Sequence, residues 1–424
     1  MSEPLSTEPY KGVRDFYPTD WARQEALFTR IQQTLALWGY EEYNASPLER
    51  AELYEAKTSE EIVNEQTYTF TDRGDRRVTL RPEMTPTLAR MVVAKQRELV
   101  FPLRWFSIGN RFRYERPQKG RLREFYQVDV DLVGLPDGEA DIEVVQLAAS
   151  ILKSFGATED DFVIHMNSRP LLNAACAAAG LTNEGTRQYL RLLDKKTKMT
   201  REAFVAASNI LSTKDPLTFI ESEDADVSEE VASEKRRLLN RINMLKSRGV
   251  HNVVCDSSIV RGFDYYTDMV FEIHDVNIAN SRALLGGGRY DGLGTLFGTD
   301  VVPSVGFALG DVTLADFLDT HSLTSNKDMY LPQVYLGTPF VDDISAAQTF
   351  ANTLRIEGCR VFVNLTKRTL SDQIKDAVKR DIPFFIAYGA DEVSGKAIRM
   401  KTLATGEEAS FSVADLVTRL RYNG

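Results

Sequence analysis

Cysteine and histidine are both scarce in this chain of 424 residues. The three cysteines, Cys176, Cys255 and Cys359, show no CxxC spacing. Their scarcity argues against a zinc site or a disulfide framework and indicates a reducing compartment. The four histidines form no HExxH or similar cluster, so no metal site built on histidine is expected.

Long hydrophobic runs and an excess of positive charge are missing as well. No apolar stretch approaches the roughly 20 residues that a membrane-spanning helix needs. The opening segment MSEPLSTEPY is polar and acidic, unlike a signal peptide, so we expect a cytoplasmic protein. Because the formal net charge is -10, any contact with a nucleic acid must come from a local basic patch.

The chain is long enough for two or three domains. Its first part shows a helical pattern over 20–40, a strand pair over 100–134 and a second helix over 139–155. From about 170 to 250 the sequence is charged and helical, which predicts an inserted helical module. After a linker at 319–333, strands and helices alternate, which predicts a separate small α/β domain.

A local patch of charge lies in the strand pair RFRYERPQKGRLREFYQVDVDLVG, which begins at Arg111. Strand alternation predicts that charged side chains and one aromatic ring share a face. The residues of that face are Arg111, Arg113, Glu115, Phe125, Gln127, Asp129 and Asp131. Arginine forks onto phosphate and phenylalanine stacks on a base, so the face suits a nucleotide. A half-exposed hairpin with a solvated face fits the same pattern.

The loop between these strands, RPQKGRLR, is basic and contains no acid. Such a loop suits a phosphate backbone, and Gln118 within it is able to read a base edge. Taken alone, the basic run is equally compatible with a solvated loop.

Several segments together resemble the class II aminoacyl-tRNA synthetases in their histidyl form. The segment FRYERPQKGRLREF resembles motif 2, GYEEYNASPLE (39–49) resembles motif 1, and TLRPEMTPTLAR (79–90) resembles the amino-acid-binding loop. The segment SSIVRGFDYYTDMVFEI (257–273) resembles the histidine-specific motif, and GGGRYDGL (286–293) and PSVGFALG (303–310) continue it. The segments follow the family's order over nearly the whole chain.

The resemblance implies an α+β fold, with an antiparallel sheet of about six strands flanked by helices. It places the catalytic domain at 1–325, with a helical insertion at about 170–250, and a C-terminal α/β anticodon-binding domain at 330–424. It also implies a homodimer built partly through motif 1. The absence of GxGxxG agrees with a fold other than the dinucleotide-binding one.

The implied reaction joins histidine and ATP, accompanied by Mg²⁺, into histidyl-adenylate and pyrophosphate. Histidine then moves to the 3′ end of tRNA-His. By resemblance, Arg113 would hold the α-phosphate and counter charge in the transition state, and Arg261 would act at the carboxylate and α-phosphate. Glu115 would bind the adenine amino group and Phe125 would stack on adenine. Without the resemblance, a surface ion pair of Arg113 with Glu115 and a core position for Phe125 are the simpler interpretations.

The same resemblance implies a histidine-binding pocket. Glu83 and Thr85 would bind the α-ammonium group. The residues that would contact the rest of histidine are Gln127, Asp131, Tyr265 and Tyr266, with Asp129 and Tyr290 as further candidates. Adjacent tyrosines in a strand point oppositely, so one of the pair is expected to pack. Glycines 286–288 would let backbone approach the ligand, or would form a tight turn.

The tRNA acceptor end would meet Arg116, Gln118 and Arg123, near the extra 5′ guanosine of histidine tRNAs. No resident metal site is implied.

The sequence departs from the family in motif 3, where GFALGDVTL stands in place of a form close to GFAMGLERL. Thr313 occupies the position of an arginine that packs over adenine and touches the γ-phosphate. Losing one charge-assisted contact costs about 1.5–3 kcal/mol, which weakens ATP binding without requiring inactivity. Either Arg111 or another arginine compensates, or adenylation has been lost.

Two alternatives therefore stay open. One is a catalytically inert, histidine-binding regulatory subunit of ATP phosphoribosyltransferase, although that family lacks the anticodon-binding domain and the tRNA loop. The other is a sensor that binds tRNA and catalyses no reaction. Thr313, at the position of the family's arginine, is compatible with this alternative.

Overall fold

The computed structural model describes residues 5–55, 66–116, 118, 120–196, 199–222, 228–261, 265–299, 301–323, 331–395 and 397–422. The chain divides into two compact units: Met1–Asp15 with Phe28–Thr324, and Phe16–Leu27 with Ser325–Gly424. Among the described residues, none of the helices has the length and apolar character needed to cross a membrane.

The first unit is built on an eight-stranded sheet. Its strands are β1 (Glu41–Glu42), β5 (Leu103–Phe112), β6 (Glu124–Val133), β7 (Phe162–Ser168), β8 (Val253–Cys255), β9 (Met269–Asp275), β10 (Ala283–Arg289) and β11 (Ser304–Gly310). Their spatial order is β1-β5-β6-β11-β10-β9-β7-β8. The six central strands pair antiparallel, and the short edge strands β1 and β8 pair parallel. The antiparallel sheet expected from the sequence is confirmed.

A smaller three-stranded sheet consists of β2 (Leu48–Arg50), β3 (Tyr68–Thr71) and β4 (Arg77–Leu80). The helices of the first unit are α1 (Pro18–Leu37, whose first part belongs to the second unit), α2 (Ala51–Glu55), α3 (Thr85–Ala94), α4 (Glu139–Ser154), α5 (Arg169–Ala178), α6 (Asn183–Asp194), α7 (Arg201–Leu211), α8 (Pro216–Glu221), α9 (Glu229–Ser247) and α10 (Asp311–Thr320). Helices α5 to α9 form the predicted helical insertion. A 3₁₀ helix spans Asp291–Phe297.

Both faces of the central sheet are covered, which changes how the β5–β6 hairpin is interpreted. Val128 and Val130 are buried, but Asp129 and Asp131 on the opposite face are buried too, at 4% and 3% exposure. The solvated face that one interpretation of the sequence allowed is therefore wrong. Strand β5 also ends at Phe112, so Arg113 and Glu115 follow the strand instead of extending its alternation.

The second unit contains a five-stranded sheet of order β13-β12-β14-β15-β16. Its elements are β12 (Val334–Gly337), α11 (Ile344–Ile356), β13 (Val361–Val363), α12 (Leu370–Lys379), β14 (Phe384–Ala387), α13 (Ala390–Ser394), β15 (Ile398–Thr402), β16 (Glu408–Phe411) and α14 (Val413–Tyr422), with a 3₁₀ turn at Val341–Asp343. Strand β12 pairs parallel with β13 and β14, and the other pairs are antiparallel. The second unit thus has the predicted α/β alternation of strands and helices. Of the linker expected at 319–333, residues 324–330 lie outside the described residues, and α10 extends to Thr320.

Candidate active site

A cavity of about 660 Å³ lies within the first unit, against β6, β10 and β11. Its lining contains every residue that the sequence assigned to histidine, to ATP or to catalysis: Glu83, Thr85, Arg113, Glu115, Phe125, Gln127, Asp131, Arg261, Tyr265 and Tyr266. Asp129 and Tyr290 line it as well. The fold thus brings together residues separated by more than two hundred positions in the chain, such as Glu83 and Tyr290.

Strand β6 presents Gln127 and Asp131 to this cavity. The hydroxyl of Tyr290 donates a hydrogen bond to one oxygen of Asp131. The other oxygen, Asp131 Oδ2, and Gln127 Oε1 are buried and have no hydrogen-bond partner within the described structure. Buried acceptors without a donor are costly in a folded protein. Both atoms are therefore suited to form hydrogen bonds with a ligand.

Burial raises the pKa of Asp131 to about 8, and the nearby charge of Asp129 acts in the same direction. The hydrogen bond from Tyr290 and the charge of Arg111 oppose this shift. Asp129 itself forms an ion pair of 2.6 Å with Arg111, which is fully buried. Since Arg111 is held there and does not line the cavity, it does not fill the role expected of the missing motif 3 arginine.

Arg113 follows β5 and enters the cavity beside Phe125. Its Nε donates to the carbonyl of Pro82 at 3.0 Å, and its guanidinium lies 5.3 Å from the centre of the Phe125 ring. Burial lowers the pKa of Arg113, while the carboxylates of Glu115 and Glu83 raise it. Glu115 pairs with Arg121 at 2.6 Å. The simpler interpretation of Arg113 as a surface partner of Glu115 is therefore not what the structure has.

Glu83 lies just before α3, the helix that begins at Thr85. The hydroxyl of Tyr265 donates to Glu83 Oε2 at 3.0 Å, and the ring centres of Tyr265 and Tyr266 are 4.9 Å apart. Burial raises the pKa of Tyr265 well above its ordinary value, so its phenol stays protonated. Both tyrosines precede β9 and both line the cavity. The expectation that one of them packs away from it is wrong, because the pair does not lie in a strand.

Arg261 adopts a left-handed backbone conformation, with φ of 62°, which is uncommon for a residue with a side chain. Its Nη1 lies 2.8 Å from Glu272 Oε1, and the other oxygen of Glu272 lies 2.8 Å from His274 Nε2. A Cβ at Gly286 would collide with the Arg261 guanidinium. Gly286 therefore leaves room for this side chain. The glycines at 286–288 all lie within β10, so the tight-turn interpretation is wrong.

The electrostatics around Arg261 keep it charged. Burial would lower its pKa, but Tyr266 and Glu272 raise it above the ordinary value. Burial likewise opposes ionisation of Glu272, yet the hydrogen bond from His274 and the charge of Arg261 lower the pKa of that carboxyl to about 2. Sequence reasoning missed Glu272, although it lies in the same histidine-specific segment as Arg261.

The residues assigned to tRNA do not line the cavity. Arg116 and Gln118 are exposed in the β5–β6 loop. Arg123 donates to the hydroxyl of Tyr10 at 2.9 Å, and its guanidinium lies 4.0 Å from the centre of the Tyr114 ring. Lys119 of the same loop falls outside the described residues.

Thr313, in the first turn of α10, forms hydrogen bonds with backbone carbonyls. Its hydroxyl lies 3.1 Å from the carbonyl of Leu284 and 3.2 Å from that of Gly310. Asp311, at the start of the same helix, forms an ion pair of 2.7 Å with Arg14. The corner of the cavity beside α10 therefore receives no positively charged side chain from α10 itself.

Known proteins resemble this chain over nearly its whole length. The family model described as histidyl-tRNA synthetase matches residues 12–313, and the one described as anticodon binding domain matches residues 335–423. The histidine–tRNA ligase of Leptospira biflexa is 38% identical, over 98% of this chain and 98% of that protein. The histidine–tRNA ligase of Thermoplasma volcanium is 34% identical, over 97% and 98%. The crystal structure of histidyl-tRNA synthetase from Nostoc sp. PCC 7120 shares the fold, with a TM-score of 0.82 and 22% identity over 99% of each chain.

Proposed function

Because the chain belongs to the histidyl-tRNA synthetase family and is a histidine–tRNA ligase that uses ATP, we propose that the cavity against β6, β10 and β11 is its active site. The observation that carries this proposal is the convergence of Glu83, Asp131 and Arg261 on one cavity. A cation-binding carboxylate, buried acceptors and an anchored guanidinium there match the ammonium, imidazole and carboxylate groups of histidine.

Histidine would bind with its α-ammonium group at Glu83, where a carboxylate attracts the cation and Thr85 adds a hydroxyl. Its imidazole would lie between β6 and the two tyrosines. Discrimination against other rings requires partners for both imidazole nitrogens. Asp131 Oδ2 and Gln127 Oε1 supply buried partners at that place. Gln127 Oε1 would accept from an imidazole N–H, and the Asp131 carboxyl would accept from the other nitrogen when ionised or donate to it when protonated.

ATP would place its α-phosphate beside Arg113 and its adenine on Phe125, with Glu115 near the adenine amino group. Arg261 would bind the histidine carboxylate and the α-phosphate. As the carboxylate attacks phosphorus, charge grows on the phosphoryl oxygens, and fixed guanidinium groups in a buried site stabilise that charge without reorganising. Glu272 is a positioning residue in this account, because it holds Arg261 at 2.8 Å.

The other assignments are part of the same proposal. ATP would enter with Mg²⁺ bound mainly by its own phosphates. Among the residues that the structure describes, no group of three His, Cys, Asp or Glu side chains is arranged to hold a metal. The residues proposed to meet the acceptor end of tRNA-His are Arg116, Gln118 and Arg123. The helical insertion would lie against the acceptor arm, and the 330–424 domain would read the anticodon. A homodimer formed partly by motif 1 and a cytoplasmic location complete the proposal.

The two alternatives have less support. A regulatory subunit of ATP phosphoribosyltransferase would not need the C-terminal part of the chain, which matches an anticodon-binding domain. A tRNA sensor without chemistry would not need Arg113 and Arg261 in one buried cavity. Both predict binding of histidine or tRNA without any exchange of pyrophosphate into ATP.

Histidine-dependent exchange of pyrophosphate into ATP tests the proposal. The purified protein is expected to catalyse exchange only with histidine, and Arg261→Ala is expected to lower the rate by about 100-fold or more, as removal of a transition-state donor does. Arg236→Ala, which removes a guanidinium 61% exposed on α9, is the matched control and should leave the rate unchanged. Ligand binding without exchange by the wild-type protein would move the assignment to the regulatory or sensor function.

A further inference from the structure

Arg282, at the approach to β10, is a cavity residue that neither the sequence motifs nor the reaction described above uses. Of the described residues, four arginines line the cavity: Arg113, Arg121, Arg261 and Arg282. Arg121 and Arg261 are each paired with a carboxylate, at 2.6 and 2.8 Å. Arg282 has no ion pair with any described side chain, and its side chain is half-buried. A cation in that setting is well placed for an anionic ligand.

The electrostatic surroundings of Arg282 are net unfavourable in the absence of a ligand. Burial lowers its pKa, and the charge of Arg121 lowers it further, while Glu115 alone acts in the opposite direction. Because Glu115 is already paired with Arg121, it neutralises Arg282 only in part. The guanidinium nevertheless stays protonated at any working pH. A polyanion between Arg121 and Arg282 would relieve their repulsion.

Arg282 and Thr313 are neighbours in the fold. Both residues line the cavity and a smaller adjoining hollow of about 70 Å³. Both also lie against Gly120 of the β5–β6 loop: a Cβ built there would be 3.0 Å from Arg282 Cδ and 3.9 Å from Thr313 Cγ2. An arginine at 282 therefore delivers a guanidinium to the same corner that a side chain at 313 would reach.

We propose that Arg282 binds the terminal phosphates of ATP and replaces the arginine that the family usually carries where this chain has Thr313. The inference rests on the proposed use of the cavity for ATP, since Arg113 takes the α-phosphate and Phe125 the adenine. The β- and γ-phosphates then extend toward the loop that carries Gly120 and Arg121. Thr313 itself is neutral and bound to backbone carbonyls, so the charge must come from another element.

Equilibrium binding of ATP and of AMP to Arg282→Gln tests this assignment. The variant is expected to bind ATP about tenfold to a hundredfold more weakly, the usual range for loss of a charge-assisted hydrogen bond. Its affinities for AMP and for histidine should not change. Arg282→Lys should retain part of the ATP affinity, and Arg236→Gln should retain all of it. A ratio of ATP to AMP affinity equal to that of the wild-type protein, whether neither affinity falls or both fall by the same factor, would overturn the role of Arg282.

This readout separates the inference from the proposed function, because binding is measured without turnover. Wild-type exchange activity reports on the function, and the ratio of ATP to AMP affinity reports on Arg282. If Arg282→Gln does not fold, modification of the wild-type protein with an arginine-specific dicarbonyl, resolved by residue, replaces it. ATP and pyrophosphate are then expected to protect Arg282, and AMP is not. Equal modification with all three ligands would contradict the proposal.

Discussion

At the scale of single residues, the site is defined by side chains whose charge state depends on their surroundings. Arg261 is kept charged by Glu272, whose carboxylate also contacts His274. Asp131 is the opposite case, because burial favours its neutral form and, within the described part of the chain, no guanidinium forms an ion pair with it. The two groups would face the same bound histidine, one as a fixed cation and one as a carboxyl whose protonation depends on pH.

The titration of Asp131 predicts a pH dependence of stability. Its pKa in the folded protein is about 8, above the ordinary value of 3.8, so the folded state holds a proton that the unfolded chain releases. Its contribution to the free energy of unfolding is fully present below the lower pKa and is lost as the pH rises through the higher one. Relative to Asp131→Asn, the wild-type protein should lose stability between about pH 5 and about pH 8, by at most about 1.4 kcal/mol per pH unit.

Urea unfolding of both proteins across that range measures the difference, with ligand-free samples. The Asn variant keeps the shape and can still accept from Tyr290, so it serves as the reference that cannot ionise. A difference that stays constant with pH would mean that Asp131 is ionised throughout, and that water in the cavity compensates its burial.

At the scale of elements, a buried ionic network joins α4, α9 and the end of β10 behind the cavity. Arg289 contacts Asp141 at 2.7 Å, and both side chains are at most 1% exposed. Arg241 of α9 contacts the other oxygen of Asp141 at 3.1 Å and Asp268 at 2.8 Å. Since Asp268 directly precedes β9, the network fixes the strands that carry Glu272 and Gly286.

Removing one member of that network is expected to destabilise the folded protein strongly. Arg289→Met should lower the free energy of unfolding by about 3–5 kcal/mol, because it leaves the buried charge of Asp141 undercompensated. The matched control is Arg248→Met, which breaks an exposed pair of the residue that follows α9 with Glu139 of α4, at 2.8 Å. That change should cost no more than about 1 kcal/mol. Chemical denaturation compares the two, and equal costs would show that the buried pair contributes no more than the exposed one.

At the scale of the whole molecule, the second unit has its own hydrophobic core. A cluster of buried side chains from β12, α11, β14, β15 and α14 includes Leu336, Phe350 and Leu416. A second cluster surrounds Tyr335 and Phe385. A unit with a separate core is expected to unfold as its own cooperative step.

Leu336→Ala should therefore destabilise the second unit by about 2–5 kcal/mol and leave histidine-dependent pyrophosphate exchange unchanged. Calorimetry of the full chain is expected to show one transition moving to lower temperature while another stays in place. Val378→Ala, at a position 54% exposed in the same unit, should move neither. Loss of exchange in the Leu336 variant, or an equal shift of both transitions, would show that the units are not independent in stability.

Strand alternation and helical period, which backbone geometry fixes, were enough for the sequence by itself to determine the antiparallel hairpin and the helical segments. The resemblance of its ordered motifs supplied the family and the predicted cavity residues, but Glu272 and Arg282 were not among them. The sequence failed where partners come from distant segments. Burial of Asp129 and Asp131 depends on what covers the sheet, and the position of the Arg261 guanidinium depends on space left by Gly286.

Only the tertiary structure decided which arginines are available to bind an anionic ligand. Arg111, Arg121 and Arg282 are indistinguishable as residue types in the sequence, but Asp129 holds the first and Glu115 the second. Arg282 reaches the corner beside Thr313 because β10 lies next to β11, the strand that leads into α10. The charge missing from one element is supplied by its neighbour across the sheet, and a pairing of that kind is set by three-dimensional packing and not by any local pattern.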